Sequence, residues 1–170
     1  LQVDDLFHIF ENVQRVVDLC GAPGSWSQVC RKKLADKGPS ITKQMNNKQY
    51  MINLFFKGYR VVSVDLNKQL QFQMYSILLE TLQKLTLTKI SQALHSETVD
   101  LVISDGAPDI TGFHDMDQYI QSQLLVAALN VAIRLLKDDG HFVAKIFKGE
   151  EIGFLYSQFK LYFKEVRIVK

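Results

Sequence analysis

Cysteine is scarce in this sequence. Its 170 residues include only Cys20 and Cys30, which lie ten positions apart without a CxxC pair or a histidine at ligand spacing. A disulfide framework needs more cysteines, and a zinc site needs a tighter cluster of thiols and imidazoles. We therefore expect two free thiols in a reducing compartment.

Long apolar runs and an excess of one charge are also absent. No run approaches the length that spans a membrane, and no secretory signal peptide is visible. Lys and Arg number 20 against 18 Asp and Glu, which gives a formal net charge of +2. So small an excess is compatible with a nucleic-acid partner but does not indicate one. These absences predict a cytoplasmic protein that does not associate with membranes.

The composition is sufficient for one hydrophobic core. Hydrophobic residues make up 47% of the chain, and a chain of this length forms a single domain with a substantial core. The chain begins at Leu1 rather than at Met and ends at Lys170, directly after a strand-like segment. We expect one domain over 1–170 that is truncated at both ends.

Strand-like and helix-like segments alternate along the chain. Apolar runs predict strands, and apolar residues three and four apart predict helices. In chain order the predicted elements are strand 15–20, helix 25–35, strand 59–66, strand 99–105, helix 117–136, strand 141–147, helix 154–163 and strand 165–169. This alternation predicts an α/β domain with a doubly wound, mostly parallel sheet.

The first predicted strand runs into a turn of small residues, VVDLCGAPGSWSQ at 16–28. Gly24 and its small neighbours let the backbone approach a ligand closely, and a serine after the turn can cap the next helix. The glycine spacing is not that of the dinucleotide fingerprint GxGxxG. With Asp18 at the strand end and Trp26 after the turn, the segment favours S-adenosylmethionine as the ligand.

Acidic residues stand at the ends of three predicted strands: Asp18, Asp65 and Asp105. The carboxyl ends of parallel strands meet at one edge of a sheet, where ligands bind. Asp65, after the second strand, is placed to accept hydrogen bonds from the ribose hydroxyls of an adenosine group. A single strand-end Asp is equally often a cap or turn former, but three together beside a glycine-rich turn favour a ligand site.

A lysine interrupts the apolar strand FVAKIF at 142–147. A lysine in such a strand is costly unless it is paired, and most such pairs are structural. Here the predicted strands that carry Asp105 and Lys145 follow one another and are expected to be neighbours. Lys145 and Asp105 are therefore candidates for a functional pair at the ligand edge, with Lys148 just beyond as a candidate phosphate contact.

These motifs resemble those of the FtsJ-like ribose 2'-O-methyltransferases, S-adenosylmethionine-dependent enzymes of the Rossmann-like methyltransferase fold. The resemblance rests on DLCGAPGSWSQ at 18–28, SDGAPD at 104–109 and KIFKG at 145–149, and it covers 1–170 apart from two weaker stretches. Within the family, ITGFHDMDQY at 110–119 resembles the branch that methylates the tRNA anticodon loop. The resemblance implies transfer of a methyl group to a ribose 2'-hydroxyl of tRNA.

The resemblance also implies roles for particular residues. The family uses a Lys-Asp-Lys-Glu set at the methyl-transfer centre, and Asp105 and Lys145 match its middle two members. The first Lys would lie upstream of Leu1 and the Glu downstream of Lys170. Lys145 is then the candidate general base, and Asp105 orients its amine beside the methyl donor. The donor site is implied at Gly24, Trp26, Asp65 and Asp105, to which the strand-end argument adds Asp18; a family acid near the adenine is not recognisable here.

Other functions remain open at this stage. One alternative is a ribosomal RNA 2'-O-methyltransferase of the same family, and another is a catalytically inactive methyltransferase fold that serves as an RNA-binding subunit. The tRNA branch commonly works with an auxiliary protein subunit, and a nearly neutral domain is consistent with such help. A metal bound at His114, Asp115 and Asp117 is disfavoured because no second histidine is near. Trp26 either packs in the core or lines the donor pocket.

Two stretches fit the alternating pattern less well. Residues 36–57 are long for a connection and have a polar centre followed by an apolar run. They form either a surface loop with one anchoring helix or an RNA-contacting flap that carries Lys43, Lys48 and Lys57. Residues 67–87 should hold a strand and a helix, but no clear period separates them.

Overall fold

The computed structural model describes residues 2–19, 25–35, 40–45, 51–56, 59–64, 87, 88, 90–92, 94, 95, 97–107 and 112–169. The helices whose bounds lie within these ranges are α1 (Gln2–Phe7), α2 (Ser25–Ala35), α3 (His114–Leu135) and α4 (Ile152–Lys160), and residues 87, 88 and 90–92 are helical as well. The strands are β1 (Arg15–Leu19), β2 (Ser40–Met45), β3 (Met51–Phe56), β4 (Tyr59–Val64), β5 (Val99–Ser104) and β6 (Leu136–Ala144).

The strands form one six-stranded sheet in the order β2-β3-β4-β1-β5-β6. Strands β4, β1, β5 and β6 are parallel to one another. On the other side of β4, β3 pairs antiparallel with β4, and β2 pairs antiparallel with β3. Three of the four parallel strands, β1, β4 and β5, are buried almost throughout, as expected when helices cover both faces of a parallel sheet. The predicted α/β architecture with a mostly parallel core is therefore found.

Alternate residues of the central strands face two separate apolar layers. One layer joins Val17, Val62 and Val102 to the inner face of α3, including Ala128 and Ala132. The other layer joins Val16, Val61, Leu101 and Ile103 to α2 and to the segment before β1. The period of two along each strand thus places helices on both sides of the sheet.

Asp100 stabilises the amino end of β1, at the edge of the sheet opposite the carboxyl ends of the parallel strands. Its carboxylate is 5% exposed and accepts hydrogen bonds from the backbone N–H groups of Gln14 (2.9 Å) and Arg15 (2.7 Å). The Lys137 ammonium lies 2.5 Å from the same carboxylate. Burial alone raises the pKa of Asp100, but the Lys137 ammonium and the two N–H donors together outweigh it and hold this pKa below its ordinary value of 3.8.

We expect Asp100→Asn to destabilise the fold and to flatten its response to acid. The native pKa is depressed, so the stabilisation is present above the ordinary pKa and is lost as the pH falls through the native value. Asparagine keeps one oxygen for the two N–H donors but places an NH2 group or a neutral oxygen toward Lys137, so the charge-assisted bonds are lost, which costs about 1.5–3 kcal/mol. Urea unfolding at neutral pH and near pH 3 measures both effects. Asp139→Asn, which removes an exposed partner of Lys164, should change neither; equal acid sensitivity of the Asp100 variant and the wild type would contradict this role.

Two sequence predictions need correction, and a third is not tested. Residues 36–57 do not form a loop with one anchoring helix, because the described parts, 40–45 and 51–56, are the paired strands β2 and β3. Residues 165–169 are not a strand, because no described strand lies beside them and β-propensity alone cannot supply the missing backbone partners. The prediction for 67–87 lies almost wholly outside the described residues.

The boundary between α3 and β6 also differs from the prediction. The helix begins at His114 rather than 117, and β6 runs from Leu136 to Ala144 rather than over 141–147. Asp139 and Gly140 lie at an irregularity inside β6, where Asp139 has φ 61° and the register to β5 shifts. A Cβ at Gly140 would lie 2.9 Å from Leu136 Cδ2 and 3.0 Å from the Lys137 carbonyl oxygen, so a larger residue would require these neighbours to shift.

Candidate functional site

The carboxyl ends of the four parallel strands are level with one another. Leu19, the last residue of β1, pairs with Val64 at the end of β4 and with Ser104 at the end of β5. Ser104 in turn pairs with Ala144 at the end of β6. The residues that follow each strand therefore leave the sheet at one edge, which is where α/β proteins bind ligands.

Asp105 and Lys145 meet at this edge. They are the first residues after β5 and β6, and the Lys145 Nζ lies 3.4 Å from the Asp105 Oδ1. The Lys145 backbone N–H also donates to the Ser104 carbonyl at 2.9 Å, so the ladder between β5 and β6 continues to the point where the pair stands. The predicted contact between the two side chains is confirmed.

The pair contributes little to stability. The Lys145 side chain is 46% exposed and the Asp105 side chain 40% exposed, and exposed pairs of this kind are worth about 0–1 kcal/mol. A cation and a carboxylate held side by side at a ligand edge, open to solvent, are instead available to a substrate. The expectation of a lysine buried inside an apolar strand was wrong, because β6 ends at Ala144 and Lys145 leaves the sheet.

Asp18 lies inside β1, one residue before its end, and it is fully buried. Its Oδ2 accepts hydrogen bonds from the Ser27 hydroxyl at 2.7 Å and the Ser63 hydroxyl at 3.4 Å. Ser27 belongs to the first turn of α2, so Asp18 ties the start of that helix to β1 and β4. Burial, together with the nearby Asp18 charge, raises the pKa of the Cys30 thiol well above its usual range. Cys30 is therefore a buried, unreactive thiol, as expected for a free cysteine in a core.

The other donor-site residues are described only in part. Gly24 and Asp65 lie outside the described residues, as does Cys20. Trp26 is half-buried in the first turn of α2 and its side chain packs against the layer formed with Val16 and Leu34. That contact agrees with the core-packing interpretation of its ring.

Sequence reasoning missed Gln121, which connects the loops that carry Asp105 and Lys145. Its side chain is 2% exposed, and its Nε2 donates to the Gly106 carbonyl at 3.0 Å and to the Lys145 carbonyl at 2.9 Å. A signal was present: the buried stripe of α3 formed by Leu125, Ala128, Ala132 and Leu135 continues back to Gln121 with the same spacing. A glutamine at the end of an apolar stripe nearest the ligand edge indicates a buried polar contact.

The first turns of α3 face both the site and solvent. Gln118 Nε2 contacts the ring of His114 at 2.6 Å and the Lys148 carbonyl at 3.4 Å. Phe113 is 72% exposed, and Met116 and Tyr119 are more than half exposed. Lys148 is exposed as well. Aromatic side chains are thus exposed at the start of α3, and Gln118 and Gln121 of the same helix contact the backbone of Lys148 and Lys145.

Neither a metal cluster nor a membrane span is found in the part of the chain that the structure describes. No three His, Cys, Asp or Glu side chains come close enough there to hold a metal ion. No described helix combines the length and the apolar character that a membrane crossing requires.

The parallel sheet and the charged pair at its carboxyl edge define an α/β protein with a candidate site at the edge where such proteins bind ligands. Comparison with known families makes this specific: the chain belongs to the FtsJ-like methyltransferase family, whose model matches residues 1–170. The predicted family resemblance is confirmed. A crystal structure of a Plasmodium falciparum protein described as a ribosomal RNA methyltransferase has the same fold, with a TM-score of 0.69 at 17% identity over 99% of this chain and 86% of that one.

Some relatives of the chain are named for tRNA methylation and others for ribosomal RNA methylation. The chain is 42% identical to the tRNA (cytidine(32)/guanosine(34)-2'-O)-methyltransferases of Schizosaccharomyces pombe and Homo sapiens, over its whole length and over 56% and 46% of theirs. It is 34% identical to the ribosomal RNA large subunit methyltransferase E of Bdellovibrio bacteriovorus, over 99% of its length and 76% of that protein. The chain therefore spans about half the length of these relatives named as tRNA methyltransferases. It is more similar to them than to this ribosomal RNA enzyme, in agreement with the resemblance of residues 110–119 to the tRNA branch.

Proposed function

We propose that the protein to which this chain belongs transfers a methyl group from S-adenosylmethionine to a ribose 2'-hydroxyl in the anticodon loop of tRNA. The observation that carries the proposal is the exposed Asp105–Lys145 pair, 3.4 Å apart at the carboxyl ends of two adjacent parallel strands. The match to the FtsJ-like family and the higher identity to relatives named as tRNA methyltransferases support it.

The described residues fit a cationic methyl donor. When bound, S-adenosylmethionine supplies a methyl group on a positively charged sulfur, and its transfer leaves a neutral thioether. Asp105 offers an accessible carboxylate at the edge where β1, β4 and β5 end together, which suits a cation. We assign Gly24 and Asp65, outside the described residues, to the donor site as well. Asp18 and Trp26 serve it indirectly, because both brace the first turn of α2.

Lys145 acts on the acceptor in this proposal. Its amine takes the proton that the ribose 2'-hydroxyl gives up, and Asp105 holds that amine in place. Alignment of two reactants can supply roughly 7–11 kcal/mol of the barrier, and a positioned base adds on the order of a hundred- to ten-thousand-fold. The remaining Lys and Glu of the family's set would come from outside 1–170.

The RNA lies over the first turns of α3 in this arrangement. Lys148 supplies a cation for a phosphate, and the exposed rings of Phe113 and Tyr119 offer faces on which unstacked bases can rest. Loop nucleotides present such bases, whereas a paired helix hides them. With a formal charge of only +2 on the chain, much of the phosphate contact falls to other segments or to an auxiliary subunit.

Transfer of labelled methyl groups by the full-length protein tests the proposal. The labelled donor is offered with unmodified tRNA and, separately, with ribosomal RNA, and the labelled tRNA is mapped for ribose methylation at positions 32 and 34. We expect label on tRNA in the anticodon loop. Label on ribosomal RNA alone would preserve the chemistry and overturn the substrate. Donor binding without label on either RNA, even after candidate subunits are added, would indicate an inactive RNA-binding subunit.

A further inference from the structure

We propose that Gln121 is a positioning residue for methyl transfer, since its amide locks together the two loops that carry Asp105 and Lys145. The inference rests on the proposed function of that pair. Gln121 stands on α3, yet its Nε2 reaches the carbonyl of Gly106, directly after Asp105, and the carbonyl of Lys145 itself. One side chain thus binds the backbone beside Asp105 and the backbone of Lys145.

The orientation of the amide follows from its partners. Two carbonyl oxygens at 3.0 and 2.9 Å can be met only by N–H groups, so the NH2 group faces the loops and both of its hydrogens are used. A buried amide without hydrogen-bond partners destabilises the fold. A glutamine on the buried stripe of α3 is therefore kept in place by the same two hydrogen bonds that hold the loops.

The hydrogen bonds of Gln121 affect the geometry of the Asp105–Lys145 pair because the two side chains are themselves partly exposed to solvent. Lys145 has a flexible four-carbon side chain, and both members of the pair are more than one-third exposed. The Lys145 backbone is held on one side by its N–H bond to the Ser104 carbonyl and on the other by the bond from Gln121. With both bonds made, the amine starts from a fixed Cα, and a shift of about 1 Å at a reacting group can cost on the order of a hundredfold in rate.

Gln121→Glu and Gln121→Met are the variants that test this role. The first keeps the shape and replaces the donor by an oxygen that repels both carbonyls, and the second keeps the length without any donor. We expect kcat per donor-binding site to fall on the order of tenfold, with KM for tRNA and donor affinity within about threefold. Counting active sites by donor binding separates this effect from a loss of folded protein, and the methionine variant carries the test if the glutamate variant does not fold.

Ser122→Ala is the matched control. Ser122 is the next residue of the same helix, is 4% exposed, and donates to the Tyr119 carbonyl of its own helix at 2.8 Å. Its loss should leave kcat unchanged. A merely structural Gln121 would lower the melting temperature, as Ser122→Ala can, without lowering kcat per site.

A double-mutant cycle makes the test decisive. If Gln121 acts through Lys145, then Gln121→Met should lower the rate in the wild type but not the residual single-turnover rate in a Lys145→Ala background. Equal losses in both backgrounds, or a wild-type kcat in both Gln121 variants, would overturn the inference. Absence of transfer to any RNA by the wild-type protein would instead refute the proposed function, so the two failures are distinguishable.

Discussion

Lys145→Ala is expected to remove most of the methyl-transfer activity and to leave the binding of the methyl donor almost unchanged. Loss of a positioned base lowers the rate by on the order of a hundred- to ten-thousand-fold. The exposed pair with Asp105 contributes only about 0–1 kcal/mol to folding, so the variant should remain folded. Single-turnover transfer of labelled methyl to tRNA gives the rate, and calorimetric titration with S-adenosylmethionine gives an affinity within a few fold of the wild type.

Two further lysine variants sharpen this prediction. Lys145→Arg keeps the positive charge but cannot take up a proton, because a guanidinium does not give up its own proton at working pH. It should therefore be as inactive as the alanine variant, and a recovery of the rate would assign Lys145 an electrostatic role. Lys164→Ala removes a lysine from an exposed carboxylate pair far along the chain and should transfer methyl normally. Equal losses of rate and donor affinity in Lys145→Ala would mean that the residue is structural.

The sequence predicted the central features of the candidate site. Strand-end acids and a lysine in an apolar run were enough to place Asp105 and Lys145 on adjacent strands, because parallel strands in an alternating α/β chain end at a common edge. The resemblance of the motifs to the FtsJ-like family then predicted methyl transfer to a ribose 2'-hydroxyl. The contact of the pair is confirmed, whereas its catalytic role and the donor-site roles of Gly24 and Asp65 stay predictions.

Tertiary contacts determine the features of the fold and the site that could not be predicted from the sequence. Lys145 looked buried because apolar residues surround it in the sequence, but β6 ends one residue earlier and the side chain emerges into solvent. The sequence does not show that Asp18 is buried against Ser27 and Ser63, hydroxyls that are 9 and 45 residues away in the chain, and its place at the donor site stays a prediction. The strands over 40–45 and 51–56 became visible only through their pairing, since β-propensity depends on the partner strand.

Asp105→Asn is expected to lower the rate by on the order of a hundredfold or more. Asparagine keeps the shape and a hydrogen-bonding oxygen, but it removes the charge that holds the Lys145 ammonium or amine in place at 3.4 Å. A misplaced reacting group alone can cost about a hundredfold. The matched control is Asp139→Asn, which neutralises a carboxylate in an exposed pair with Lys164 and should leave the rate unaffected.

The same variant separates a donor-binding role of Asp105 from a role limited to Lys145. The methyl donor is a cation and the product thioether is not, so a carboxylate beside the sulfur favours the donor through its charge alone. Two unit charges at contact distance interact by about 1–4 kcal/mol near a protein surface, and the lower figure applies to a side chain that is 40% exposed. Asp105→Asn should therefore weaken binding of S-adenosylmethionine by roughly fivefold more than binding of the thioether, which is about 1 kcal/mol. If both ligands lose affinity equally, or neither does, Asp105 does not face the sulfonium and its effect on the rate is exerted through Lys145.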